Sequence, residues 1–203
     1  GLPPATTHAT VAASDVVREA IPALAALAGS IADPQVRNMG TIGGSVANND
    51  PAADYPAAVL GLGATVVTNA RQVAADDFFT GMFSTALDEG EIVLRLDFPL
   101  PDSAGYGKFC SQASRYAMAG SFVSRKEGKV RVAVTGSGAD GVFRWSGAEA
   151  ALAQDFSIAA LAGLEPDAGA MASDLHGDAE YRAALVAEMT RTAVAHQGTA
   201  FIR

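Results

Sequence analysis

The chain opens in short helical periods and changes rhythm twice. Thr7 stands where an N-cap belongs for a helix over residues 8–13, and Ser14 for one over 15–20. A third helix over 21–28 carries Pro22 in its first turn and is closed by Gly29. Residues 37–49 lose the periodicity and are rich in glycine, which predicts a loop or a short strand. Asp50-Pro51 reads as the cap and first position of a helix reaching about residue 60. Residues 64–68 and 91–98 alternate or run apolar, as strands do, with a short helix or ordered loop over 75–82 between them.

Residues 99–104, rich in Pro, Asp and Ser, mark a domain boundary, giving units of 1–100 and 101–203. Strands follow at 105–112, 120–125 and 129–135, the last two joined by the hairpin signal Lys126-Glu127-Gly128. A short strand at 142–145 precedes helices at 147–153, capped by Ser146, and 157–161. Asp178 caps a long helix to about His196, closed by Gly198, with Leu185, Met189 and Ala193 on its buried face. Strands followed by helices predict an α+β second domain, and no internal repeat is present.

Composition narrows the chemistry. A net charge of −8 argues against nucleic acid, which needs a basic surface. The single cysteine, Cys110, cannot hold an iron–sulfur cluster or a disulfide, and His8, His176 and His196 lack ligand spacing. Any redox role therefore needs an organic cofactor. Pro22, Gly29 and Asp33 interrupt the apolar stretch that comes nearest to a membrane span. Gly1-Leu2-Pro3-Pro4 reads as a linker rather than a signal peptide, and a cytoplasmic location is expected.

The segment Gly40-Thr41-Ile42-Gly43-Gly44-Ser45-Val46-Ala47-Asn48-Asn49-Asp50-Pro51-Ala52-Ala53-Asp54-Tyr55-Pro56 carries the most chemistry. Adjacent glycines remove the Cβ atoms that keep a ligand from backbone N–H groups, and such groups in series attract anions. Thr41 and Ser45 add hydroxyls, and no Lys or Arg lies between Arg37 and Arg71. A phosphate here would be held by backbone dipoles and a helix start. Asp54 would repel phosphate but suits the hydroxyls of a polyol, with Asn48 beside it. The plainer reading stays open: Gly-Gly-Ser is often only a turn, and Asn-Asp-Pro only a helix start.

Thr41-Ile42-Gly43-Gly44-Ser45-Val46-Ala47-Asn48 followed by Asp54-Tyr55-Pro56 resembles the second FAD motif of the molybdenum hydroxylase flavoproteins, the medium subunits of the xanthine dehydrogenase family. Thr6-Thr7-His8-Ala9, Glu91-Ile92-Val93-Leu94, Gln112-Ala113-Ser114-Arg115-Tyr116-Ala117-Met118, Arg131-Val132-Ala133-Val134-Thr135-Gly136 and Gly177-Asp178-Ala179-Glu180-Tyr181-Arg182 continue the resemblance in order. Ala113-Ser114-Arg115-Tyr116 and Gly138-Ala139-Asp140-Gly141 are most like the aerobic carbon monoxide dehydrogenase branch. The resemblance implies an FAD-binding domain of the PCMH/VAO-like kind, with a mixed sheet and helices, then a flavoprotein C-terminal domain of antiparallel sheet plus helices. It implies FAD contacts from Thr41, Ile42, Gly43, Gly44 and Ser45 at the pyrophosphate, Asn48 and Asp54 near the ribityl chain, Ile92 and Val93 at the adenine, and Tyr116 beside the isoalloxazine. It further implies an electron-transfer role: a molybdenum large subunit oxidises substrate, a 2Fe–2S small subunit relays electrons, and FAD passes them on, in a dimer of heterotrimers. The family's first loop, Ala-Gly-Gly-[His/Gln/Ser]-[Ser/Thr], is not found here, so half a site, and weak FAD binding by this chain alone, is expected.

Other motifs carry less. Gly136-Ser137-Gly138-Ala139-Asp140-Gly141 matches the dinucleotide fingerprint, but the strand-like Val142-Phe143-Arg144-Trp145 follows where a helix is required, so a tight turn is expected. Cys110 reads as a small buried residue and His8 as a helix start. Phe78, Phe79, Met82 and Phe83 read as core or a subunit contact.

Overall fold

The structure, a computed structural model, describes residues 1–203. Helices α1 (His8–Ala13) and α2 (Asp15–Ala20) start where the caps predict: Thr7 and Ser14 accept from the amides of Thr10 and Val17. Helix α3 (Pro22–Gly29) starts on its proline, and α4 (Pro34–Met39) is capped by Asp33.

Several elements depart from the sequence expectation, two of them around the glycine-rich segment. Residues 37–49 form no open loop: the end of α4 runs through Gly40 into a second helix, α5 (Ile42–Asn48). Thr41 caps α5 by accepting from Gly44 N, and Asn49 ends it in the left-handed region at φ 45°. The cap offsets the helix cost of two glycines, and Gly43 lies where the chain comes close, since a Cβ there would meet Pro4 Cβ at 2.4 Å. Asp50-Pro51 does not start a helix. Asp50 Oδ1 instead accepts from Ala52 N across a turn, and α6 (Tyr55–Leu62) begins later. An Asp that bonds its own following backbone competes with helix formation.

Beyond α6 come β1 (Thr65–Thr68), β2 (Gln72–Ala74), α7 (Ala75–Phe78), β3 (Phe79–Gly81), β4 (Ser84–Thr85) and β5 (Val93–Asp97). Strands β2, β1 and β5 pair antiparallel in that order, and β3–β4 form a separate hairpin. A second sheet holds β6 (Ser103–Cys110), β7 (Ala117–Lys126), β8 (Lys129–Thr135) and β9 (Phe143–Arg144). Helices α8 (Ser146–Gln154) and α9 (Ala179–Ala195) follow, and β10 (Ala200–Ile202) returns beside β6. This sheet is antiparallel except for β10, which runs parallel to β6. Glu127 and Gly128, both at positive φ, make the β7–β8 turn that the sequence signals. Residues 157–161 give only a 3₁₀ turn, Ala159–Leu161.

The architecture is α+β, and the second sheet is its centre. Along β7, Phe122 faces a core built from α1, α3, α5 and α6, while Ala119 and Val123 face a second core under α8 and α9. That period of two buries both faces. Gly105 and Gly107 let α9 lie against β6, since Cβ atoms there would meet the carbonyls of Ala193 and Met189 at 2.1 and 2.3 Å. Across the other face, Arg131 binds Asp76 at 2.6 Å and ties β8 to α7.

Candidate cofactor-binding site

Helix α5 is a ridge between two hollows. On one side lies an open groove of about 380 Å³ lined by Thr41, Gly43, Gly44, Ile92 and Val93. On the other lies a cleft of about 140 Å³ lined by His8, Ser45, Asn48, Asp54, Arg115 and Tyr116. Nine of the ten residues singled out by sequence line one hollow or the other. The tenth, Ile42, is the first residue of α5 and is fully buried in the core below.

That turn is partly occupied by the chain itself. Ile42 N donates to Thr6 O at 3.0 Å and Gly43 N to Pro4 O at 2.9 Å. Gly44 N donates to Thr41 Oγ1 at 3.1 Å. Gly43 is thus a packing glycine. Gly44 is exposed, and the nearest atom to an added Cβ would be Thr41 Oγ1 at 3.0 Å. The Cβ-free surface that a ligand could approach is at Gly44.

Asp54 sits at the N-terminus of α6, 4 % exposed. Tyr106 OH donates to its Oδ1 at 2.5 Å and Lys108 Nζ to its Oδ2 at 2.9 Å. Neither partner was singled out by sequence, although Lys108 shares the inward parity of Ala104 and Tyr106 on β6, the one signal available. Burial first, then the nearby Asp54, pushes the Tyr55 and Tyr106 phenols well above their ordinary range, so both stay protonated. His8 packs on Tyr55 with ring centroids 5.2 Å apart. Burial lowers its pKa, Asp54 partly opposes this, and Arg37 adds to the lowering. His8 Nδ1 and the Tyr55 hydroxyl are buried there without a hydrogen-bond partner.

With this geometry in view, similarity to known proteins is informative. A family described as "FAD binding domain in molybdopterin dehydrogenase" matches residues 2–101. The nicotine 6-hydroxylase medium subunit of Paenarthrobacter nicotinovorans is 35 % identical over 96 % of this chain and 74 % of its own length. The carbon monoxide dehydrogenase medium chain of Hydrogenophaga pseudoflava is 35 % identical over 89 % of this chain and 68 % of its own. Among solved structures, the reconstituted CO dehydrogenase from Oligotropha carboxidovorans superposes with a TM-score of 0.80 at 30 % identity, covering 93 % of this chain and 71 % of that one. The chain belongs to the FAD-binding medium subunits of the molybdenum hydroxylases. It is an oxidoreductase subunit, and the matched residues 2–101 include α5 and both of its flanking hollows' first-half walls.

The remaining motifs of this medium subunit are structural. Gly136–Gly141 is a turn between β8 and β9: Ser137 Oγ donates to Met118 O at 2.8 Å, and no helix starts before α8. The dinucleotide fingerprint therefore lacks its helix N-terminus. Phe78 is core, whereas Met82 and Phe83 are exposed at the β3–β4 tip. Cys110 is half-buried, with Sγ 3.0 Å from Arg203 O. Tyr116 is half-exposed and also lines a further cavity of about 260 Å³ with Ser114, Met118 and Arg182. No helix is long and apolar enough to cross a membrane.

Proposed function

We propose that this chain is the electron-transferring flavin subunit of a molybdenum hydroxylase complex, built as an FAD domain over residues 1–100 and a C-terminal domain over 101–203. FAD would be held across α5: Ile92 and Val93 would hold the adenine, Thr41 and Gly44 the diphosphate, Ser45, Asn48 and Asp54 the ribityl chain, and Tyr116 the isoalloxazine. One observation carries this reading, the glycine-topped ridge between two hollows. A ligand with two flat ends and an anionic middle fits that shape, and His8, which lines the cleft, has an unpartnered buried Nδ1. A flavin bound there would supply the redox chemistry, accepting electrons from the iron–sulfur subunit and passing them to an external acceptor. The residues bind, orient and exclude water. No nucleophile or general base is needed.

The partners are a small 2Fe–2S subunit and a large molybdenum subunit in a dimer of heterotrimers, and the reaction is carbon monoxide oxidation, favoured by Ala113-Ser114-Arg115-Tyr116 and by the carbon monoxide dehydrogenase relatives. The equal identity to the nicotine 6-hydroxylase medium subunit favours a second reading, a heteroaromatic hydroxylase. The test is anaerobic bleaching of the flavin in the purified complex. Carbon monoxide is expected to bleach it. Bleaching by nicotine or xanthine but not carbon monoxide gives the second reading, and a complex that copurifies without flavin removes both.

A further inference from the structure

Two turns meet beside the groove, and a single carboxylate joins them. Glu91, with its side chain 3 % exposed, receives Thr68 Oγ1 at 2.6 Å and Arg71 Nε at 3.1 Å on Oε1. On Oε2 it receives Arg71 Nη2 at 3.0 Å and Asp88 N at 2.9 Å. The same Nη2 donates to Ala86 O at 2.6 Å and stands 3.2 Å from Asp88 Oδ2. The next residue, Ile92, is held from the other side: its N–H donates to Asn69 Oδ1 at 2.9 Å and its carbonyl accepts from Asn69 N at 3.1 Å.

An ion pair on a surface usually contributes little. This one differs in kind. The carboxylate is buried, the guanidinium meets it through two nitrogens, and every strong acceptor position is filled. Arg71 first, through its hydrogen bond, and then the Asp88 amide hold Glu91 down at about 2, so it stays a carboxylate at any working pH. Yet what this ordering fixes is not a core residue. Ile92 is 58 % exposed and lines the groove beside Gly44 and Val93. A backbone held from both sides at Ile92 leaves less to order when a flat ring settles on its side chain.

We propose that Arg71, acting through Glu91, is a positioning residue that fixes Ile92 as the platform for the purine ring of an adenine dinucleotide. Arg71 does not line the groove, whereas the Glu91 that it holds does, at the Ile92 side, so the effect of Arg71 is confined to the adenine end. The inference rests on the reading of the groove as that end.

The experiment uses the full complex stripped of flavin and titrated with FAD by flavin fluorescence. The variants are Arg71→Ala, Glu91→Gln and Gly44→Val. Arg71→Ala is expected to weaken FAD binding about tenfold, and Glu91→Gln, which keeps the shape and loses the charge, several-fold. At saturating FAD both should keep the wild-type visible spectrum, because the isoalloxazine lies across the ridge. A merely loosened fold would move spectrum and affinity together. Unchanged affinity in Arg71→Ala, or lost affinity with an altered spectrum, overturns the proposal, and Glu91→Gln decides by the same two readouts where Arg71→Ala does not fold. Gly44→Val separates the two claims: if it binds FAD normally, the assignment of the ridge to FAD fails; if it binds weakly while Arg71→Ala binds normally, only the role of Arg71 fails.

Discussion

Lys108 Nζ lies 2.9 Å from Asp54 Oδ2, with the two side chains 1 % and 4 % exposed, and this pair joins the first helix-rich half of the chain to the central sheet. Removing one partner of a buried pair leaves an uncompensated charge, which costs about 3–5 kcal/mol, whereas removing both charges is close to neutral. Lys108→Met is therefore expected to lower the denaturation midpoint severely, and Asp54→Asn with Lys108→Met to recover most of it. Denaturant titration of the three proteins checks this. Equal loss in the single and double variants would show that Lys108 acts by packing rather than by charge.

The two glycines of the Thr41–Ser45 turn should separate cleanly. A Cβ on Gly43 runs into Pro4, so Gly43→Ala costs about 1–3 kcal/mol of stability through overpacking. Gly44 faces open space apart from Thr41 Oγ1. Gly44→Val should leave stability within about 1 kcal/mol, the range of exposed helix propensities. It should cost FAD affinity about tenfold or more, because the valine side chain stands on the Cβ-free surface that a ligand could approach. Melting curves without flavin and FAD titrations with it check both. A Gly43→Ala protein of normal stability would contradict the packing role.

Much of this fold is legible locally. Thr7, Ser14 and Asp178 announce helix starts because the capping bond lies within three residues of chain. Glu127-Gly128 announces its turn because few other residues take up positive φ. The Thr41–Ser45 motif carried the family resemblance but was not legible as a helix, because Gly-Gly argues against helix and the contact that favours it, Pro4 against Gly43, is distant in sequence. Asp54 was legible as a polar group, yet its partners Tyr106 and Lys108 lie on a strand in the other half of the chain. Strand β10 pairs with β6 only after α9 has crossed the sheet, and three residues of pattern cannot signal that.

His8 gives the fold an acid-sensitive side. Burial lowers its pKa below the ordinary value near 6.5, against the pull of Asp54 and with the push of Arg37, while the facing Tyr55 stays neutral. The native state then binds fewer protons than the unfolded chain below about pH 6.5, so stability rises with pH there. Its contribution is complete above that pH and is lost as pH falls toward the lowered native pKa. His8→Phe keeps a ring against Tyr55 and cannot titrate. Urea midpoints at pH 7 and pH 5 should fall less for the variant than for the parent. Equal falls would assign the acid loss to other groups.

Tyr116 separates a packing role from a tuning role. The residue is 53 % exposed and belongs to neither buried core, so removal of its side chain should change stability by no more than about 0.5 kcal/mol. Its backbone is fixed, with the carbonyl accepting from Ser111 N at 2.9 Å. Tyr116 lines both the cleft beside Asp54 and the cavity lined by Ser114, Met118 and Arg182. An aromatic face against a flavin also changes the relative stability of its oxidised and reduced forms. In the assembled complex, Tyr116→Ala should keep FAD, shift the flavin midpoint potential and change the rate of flavin reoxidation several-fold. Tyr116→Phe, which retains the ring and loses only the hydroxyl, should stay near the parent in both. Reductive titration and stopped-flow reoxidation measure the two quantities. Tyr116→Ala with parental potential and parental rate would mean that the ring only fills space.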